Sequence, residues 1–130
     1  MPLLRFNLRD TWTSSQIATL LDSAHRVVVE VFGVPENDRY QLVSLYPASL
    51  QRIEDTGLGI ERSAQVVLVE VTSRPRGKAA KQAFYALLSE RLAADCGLAP
   101  GDLIVSFVEN SDADWSFGHG RAQFLTGELG

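Results

Sequence analysis

Pro2, Asp38, Arg74 and Arg76 are the residues whose types and placing could do chemistry. A methionine followed by a small residue such as proline is normally removed during synthesis. Its removal would leave Pro2 as a secondary amine at the start of an extended segment. An α-amino group titrates near ~8 in model peptides, so it can serve as acid or base near neutrality, and it can condense with a carbonyl. If Met1 stays, Pro2 is an amide and none of this applies; many chains begin Met-Pro to no chemical end. Arg74 and Arg76 flank Pro75, which fixes its own φ and stiffens the segment. Alternate residues of an extended segment point the same way, and two guanidinium groups at one spot make a carboxylate clamp. The plain alternative is two solvated arginines. Asp38 precedes a strand and on its own reads as a turn cap, as does Asp102. Trp115, Phe117, Phe124 and Leu129 are apolar residues of a Gly-rich tail, where core packing alone would account for them. His25 reads as a boundary residue of a helix, His119 as part of a Gly-His-Gly loop, and Cys96 as structural.

These residues must be positioned by a small set of elements. Residues 3–8 alternate as a strand, with Leu4, Phe6 and Leu8 on one face. Thr13 and Gln16 form a capping box ahead of a helix whose apolar residues, Ile17, Leu20, Leu21, Ala24, Val27, Val28 and Val31, keep helical spacing. Gly33 and Pro35 end it, and residues 40–45 form a second strand. Residues 66–72 are the strongest strand, apolar enough to predict burial on both faces. A second helix spans about 78–95 up to Gly97, and residues 103–108 form a fourth strand. The tail predicts short extended pieces around Trp115, Phe117 and Phe124.

The pieces repeat. Gly33 and Gly97 lie 64 residues apart, as do Asp38 and Asp102, so that residues 2–46 and 65–109 read as tandem β-α-β units within a single domain spanning 1–130, with a tail from 110 to 130. Right-handed crossovers then predict an α+β (α/β) fold: one four-stranded mixed sheet with both helices on one face. The bare face needs a cover, and a partner subunit is the expected one.

Composition narrows the classes. With 130 residues the chain fits one domain, and a net charge of −4 argues against a nucleic-acid partner. Cys96 is the one cysteine, which excludes an intrachain disulfide and a Cys-based zinc site. No apolar run approaches the ~20 residues of a membrane span, and the N-terminus lacks a signal-peptide layout, so a cytoplasmic location is expected. Ten of the twelve cationic residues are arginine, the side chain suited to two-point recognition of carboxylates.

An N-terminal proline, a duplicated β-α-β unit and an Arg-x-Arg after the second unit's first strand occur together in the tautomerase superfamily. The chain resembles it over its whole length, and within it the malonate semialdehyde decarboxylase family. The segments that carry the resemblance are Pro2-Leu3-Leu4, residues 34–41, Ile53 to Gly57, Thr72 to Arg76 and Asp114 to Gly118. The resemblance implies a homotrimer that needs no cofactor or metal and decarboxylates a small 3-oxo acid, malonate semialdehyde, to acetaldehyde and carbon dioxide. It assigns catalysis to Pro2, Asp38, Arg74 and Arg76, and an apolar substrate wall to Trp115, Phe117, Phe124 and Leu129. Hydration or dehalogenation of small unsaturated acids such as 3-haloacrylates, keto–enol tautomerisation, and a non-enzymatic oligomer that binds carboxylates remain the alternatives. Asp38 near the amine would favour its cationic form and the arginines its neutral form. Asp38 tips the expectation toward a cationic, acid-acting Pro2.

Overall fold

The computed structural model describes residues 1–129. Strand β1 (Leu3–Arg9) leads into helix α1 (Ser14–Phe32), then strand β2 (Tyr40–Tyr46). Strand β3 (Val67–Ser73), helix α2 (Lys78–Cys96) and strand β4 (Leu103–Glu109) repeat the order, and a short helix α3 (Gln123–Thr126) lies in the tail. Local chemistry sets the helix ends as expected. Thr13 Oγ1 accepts from the Gln16 amide while Gln16 Oε1 accepts from the Thr13 amide. Gly33 and Gly97 close the two helices in the left-handed conformation, at φ 65° and 67°.

The sheet order is β2-β1-β3-β4. Parallel pairs β1–β2 and β3–β4 meet across the antiparallel pair β1–β3. Leu4, Phe6 and Leu8 of β1 and Val67, Val69 and Val71 of β3 share one face and are fully buried. Leu20, Ala24, Val27 and Val28 of α1 and Phe84, Leu88 and Leu92 of α2 complete one core with them. Both helices therefore cover the same face of the mixed sheet.

Two expectations need correction. Strand β3 is buried on one face only: Leu68 and Thr72 are half-buried and Glu70 is exposed. Its near-continuous apolar run predicts burial on both faces, but a single chain supplies only one helical layer. In the tail, Phe124 lies on the helical turn of α3, where the Thr126 amide donates to the Ala122 carbonyl, and not on an extended piece.

The uncovered face carries apolar side chains. Leu42 is 47% and Val108 61% exposed there, beside the half-buried Leu3, Leu68 and Ile104. No helix is long and apolar enough to cross a membrane.

Candidate active site

Sheet register brings the N-terminus to the site. β1 and β2 are parallel with Leu3 opposite Tyr40, and β1 and β3 are antiparallel with Leu3 opposite Thr72. Continuing both pairings past Leu3 draws Met1 level with Asp38 on one side and Arg74 on the other. Residues far apart in sequence thus share the end of the two central strands and their neighbour.

The loop that carries Asp38 is fixed from several directions. The Asp38 amide donates to the Pro35 carbonyl. His25 Nε2–H donates to the Glu36 carbonyl, so His25, which is buried, is an anchor for this loop and not the boundary residue its helical position predicts. Arg39 pairs with Asp22 at 2.7 Å and donates to Gln41, whose side-chain amide donates to the Leu21 carbonyl.

Asp38 is only 8% exposed. Neither of its carboxylate oxygens has a hydrogen-bond partner of regular geometry among the described residues. The one cation against it is the Met1 amino group, 3.4 Å from Oδ2. A buried carboxylate normally has its lone pairs filled, so this one faces a group still to arrive or an amine still to be exposed. Asp102, its partner in the repeat, differs: it accepts from the Ser63 amide and hydroxyl and is a turn cap. Pro2 is buried behind Met1.

Two adjoining clefts flank the amine. One, of about 350 Å³, holds Met1, Asp38, Arg74, Arg76, Phe124 and Leu129. The other, of about 410 Å³, shares Met1, Asp38 and Leu129 and adds Tyr40, Phe117 and Gln123. Arg74 and Arg76 do point into one cleft. Arg74 Nε lies 2.6 Å from Asp112 Oδ1, with its guanidinium carbon 4.3 Å from the Phe124 ring centre. Arg76 Nε donates to Ser73 Oγ at 2.9 Å, its carbon 5.2 Å from the Phe32 ring centre. The Arg76 amide donates to Glu109, which also pairs with Lys81. Of the four tail residues, Phe117, Phe124 and Leu129 line a cleft. Trp115 stands one layer out, stacked on Phe117 with ring centres 5.4 Å apart. The residues the sequence offers no signal for are Met1 itself, Ser73, Asp112 and Phe32, because each acts through a contact that only the fold creates.

Electrostatics at the amine have opposing signs. Burial holds the Met1 amine below its ordinary value; Asp38 pulls it up, and Arg76 and then Arg74 push it down. Desolvation is the largest effect on the Met1 amine. Arg76 is itself held below the ordinary arginine range by burial and by Arg74, against the attraction of Asp38. Among the described residues no group of three His, Cys, Asp or Glu side chains could hold a metal. What the geometry offers is an amine, a buried carboxylate beside it, two guanidinium groups and apolar rings, which suits acid–base or imine chemistry on a small carboxylate bearing a carbonyl.

Comparison with known proteins shows the family. A family described as tautomerase enzyme matches residues 38–118. A probable tautomerase of Bacillus subtilis (strain 168), YrdN, is 57% identical over 99% of this chain and 100% of its own length. A solved structure of malonate semialdehyde decarboxylase, studied for decarboxylase and hydratase activities, is 57% identical, with a TM-score of 0.95 over 98% of each chain. A malonate semialdehyde decarboxylase inhibited by 3-bromopropiolate is 38% identical, with a TM-score of 0.93 over 98% of this chain and 97% of that one.

Proposed function

The chain belongs to the tautomerase enzyme family, and from that premise we propose that it decarboxylates malonate semialdehyde, with Pro2 as the reacting amine once Met1 is removed. The observation that carries the reading is the buried Asp38 carboxylate, short of partners and facing the N-terminal amine beside two arginines.

The substrate carboxylate enters against Arg74 and Arg76, and its aldehyde carbon meets the amine. Neutral Pro2 adds to that carbon, and the carbinolamine loses water to give an iminium ion. The C–C bond to the carboxylate then breaks, its electron pair flows to the iminium nitrogen, and carbon dioxide leaves. The enamine takes a proton on carbon, water adds to the regenerated iminium, and acetaldehyde departs from free Pro2. The net reaction consumes one proton. Pro2 is buried, and burial favours the neutral form of an amine, the form the covalent route needs.

A clamp that only binds the carboxylate would stabilise the ground state and slow the loss of charge. The arginines help by orientation, holding the breaking bond perpendicular to the carbonyl plane. Phe117, Phe124 and Leu129 provide the apolar side that favours neutral carbon dioxide, with Trp115 backing Phe117. The same neutral amine could take a proton from carbon, and a keto–enol tautomerase is therefore the second reading. The uncovered apolar sheet face, with the family resemblance, supports assembly as a homotrimer.

The test combines intact mass with trapping. The mass should show loss of Met1, and borohydride with malonate semialdehyde should fix an adduct at Pro2. Pro2→Ala, or a form with an uncleavable N-terminal extension, should lose acetaldehyde production on the order of 10²-fold or more. Parent-level acetaldehyde from both forms would overturn the proposal.

A further inference from the structure

Arg74 and Arg76 are held by parallel devices. Each has its Nε against a side-chain oxygen, Asp112 Oδ1 for Arg74 and Ser73 Oγ for Arg76, and each lays its guanidinium by a phenylalanine, Phe124 and Phe32. Among the described residues no hydrogen bond occupies the terminal Nη groups of either, and both side chains line the cleft that holds Asp38 and the amine. The two devices differ in charge: Ser73 is neutral and fully buried, whereas Asp112 is an exposed carboxylate.

Asp112 is not a loose surface partner. It opens the short turn Asp112–Asp114, which Asp114 closes by accepting from the Ser111 amide and hydroxyl. Asn110, just before it, donates its amide to the Ser73 carbonyl and accepts the Trp115 indole N–H. The turn is thereby tied to the end of β3, one residue from Arg74.

We propose that Asp112 is a positioning residue that pre-orients Arg74, leaving its two Nη groups to receive the substrate carboxylate. An arginine side chain has many rotamers to lose when it is fixed. Fixing it before the ligand arrives removes part of that cost from binding. Asp112 also offsets part of the charge of Arg74, and of the two arginines Arg76 acts more strongly on the Met1 amine. Arg74 then serves orientation, and Arg76 serves the electrostatics of the amine. The inference rests on the carboxylate-clamp part of the proposed function and not on the decarboxylation step.

The test uses the full chain with Met1 removed, and Asp112→Ala, Arg74→Ala and the double variant. Two quantities are read: KM for malonate semialdehyde, and Kd for 3-hydroxypropanoate, a carboxylate with no carbonyl to react. Asp112→Ala should raise both about fivefold, with kcat changed by less than about twofold. In the Arg74→Ala background, Asp112→Ala should change neither quantity further. Asp112→Glu should restore part of the loss, because it keeps the carboxylate. An unchanged Kd in Asp112→Ala, an equal effect with and without Arg74, or no binding of 3-hydroxypropanoate by the parent would each overturn the assignment. A parent that shows the Asp112-dependent Kd but forms no acetaldehyde would refute the decarboxylase reading and support the positioning role.

Discussion

Asp38 and the amine it faces are the pair on which the chemistry turns. The carboxylate is buried and short of partners, and its negative charge raises an amine that burial lowers. The sign of the pH response follows. If the neutral amine reacts, kcat/KM rises as pH rises through the pKa of that amine. Asp38→Asn removes the stabilisation of the cation, lowers that pKa and moves the rising limb to lower pH. Arg76→Gln removes a repelling charge and moves the limb to higher pH. A pH–rate profile of parent and variants checks both, and a limb that falls with rising pH would instead mark a cationic, acid-acting Pro2. None of the four catalytic candidates carries enough signal alone. Asp38 and Asp102 read alike as turn caps in the sequence, and only the structure separates them, one bonded to Ser63 and the other open to the amine.

At the scale of elements, the two β-α-β halves share their scaffold and differ in what sits at the strand ends. Both helices stop at a left-handed glycine, Gly33 and Gly97. An alanine at either position should cost about 1–2 kcal/mol, since φ near +65° crowds a Cβ. Gly33 also lines the arginine cleft and begins the loop that carries Asp38. Gly33→Ala should therefore lower kcat/KM as well as stability, whereas Gly97→Ala should lower stability alone. Denaturant melts paired with steady-state kinetics distinguish the two. The capping box, the helix stops and the strand cores were readable in the sequence because each depends on neighbours within a few residues. The tail was not, because Phe124 and Phe117 take their places from contacts with Arg74, Tyr40 and each other.

For the whole molecule, the open face of the sheet matters most. Leu42 and Val108 lie near its two edges, and the strands between them present Leu3 and Leu68. Burial of such a face in a trimer would complete the second layer that β3's apolar run anticipates. Val108→Glu should reduce the sedimenting mass toward one protomer and lower stability. A parent that sediments as one protomer would sink the trimer. Because the N-terminus lies beside strands bordering that face, disrupting assembly should also lower activity.

The sequence by itself determined the strand and helix order, the duplicated plan and the residues to test. Period, caps and the 64-residue offset are local or self-similar patterns, and the motif resemblance spans the chain. What only the tertiary structure decided is which of those residues meet. The parallel register of β1 with β2 and its antiparallel register with β3 bring the N-terminus beside Asp38 and Arg74. The choice of one covered face leaves β3 half bare. The reason is physical: register and layer depend on hydrogen bonds and packing between segments tens of residues apart. The balance of burial against charge at the amine follows from that assembly and from no single stretch of sequence.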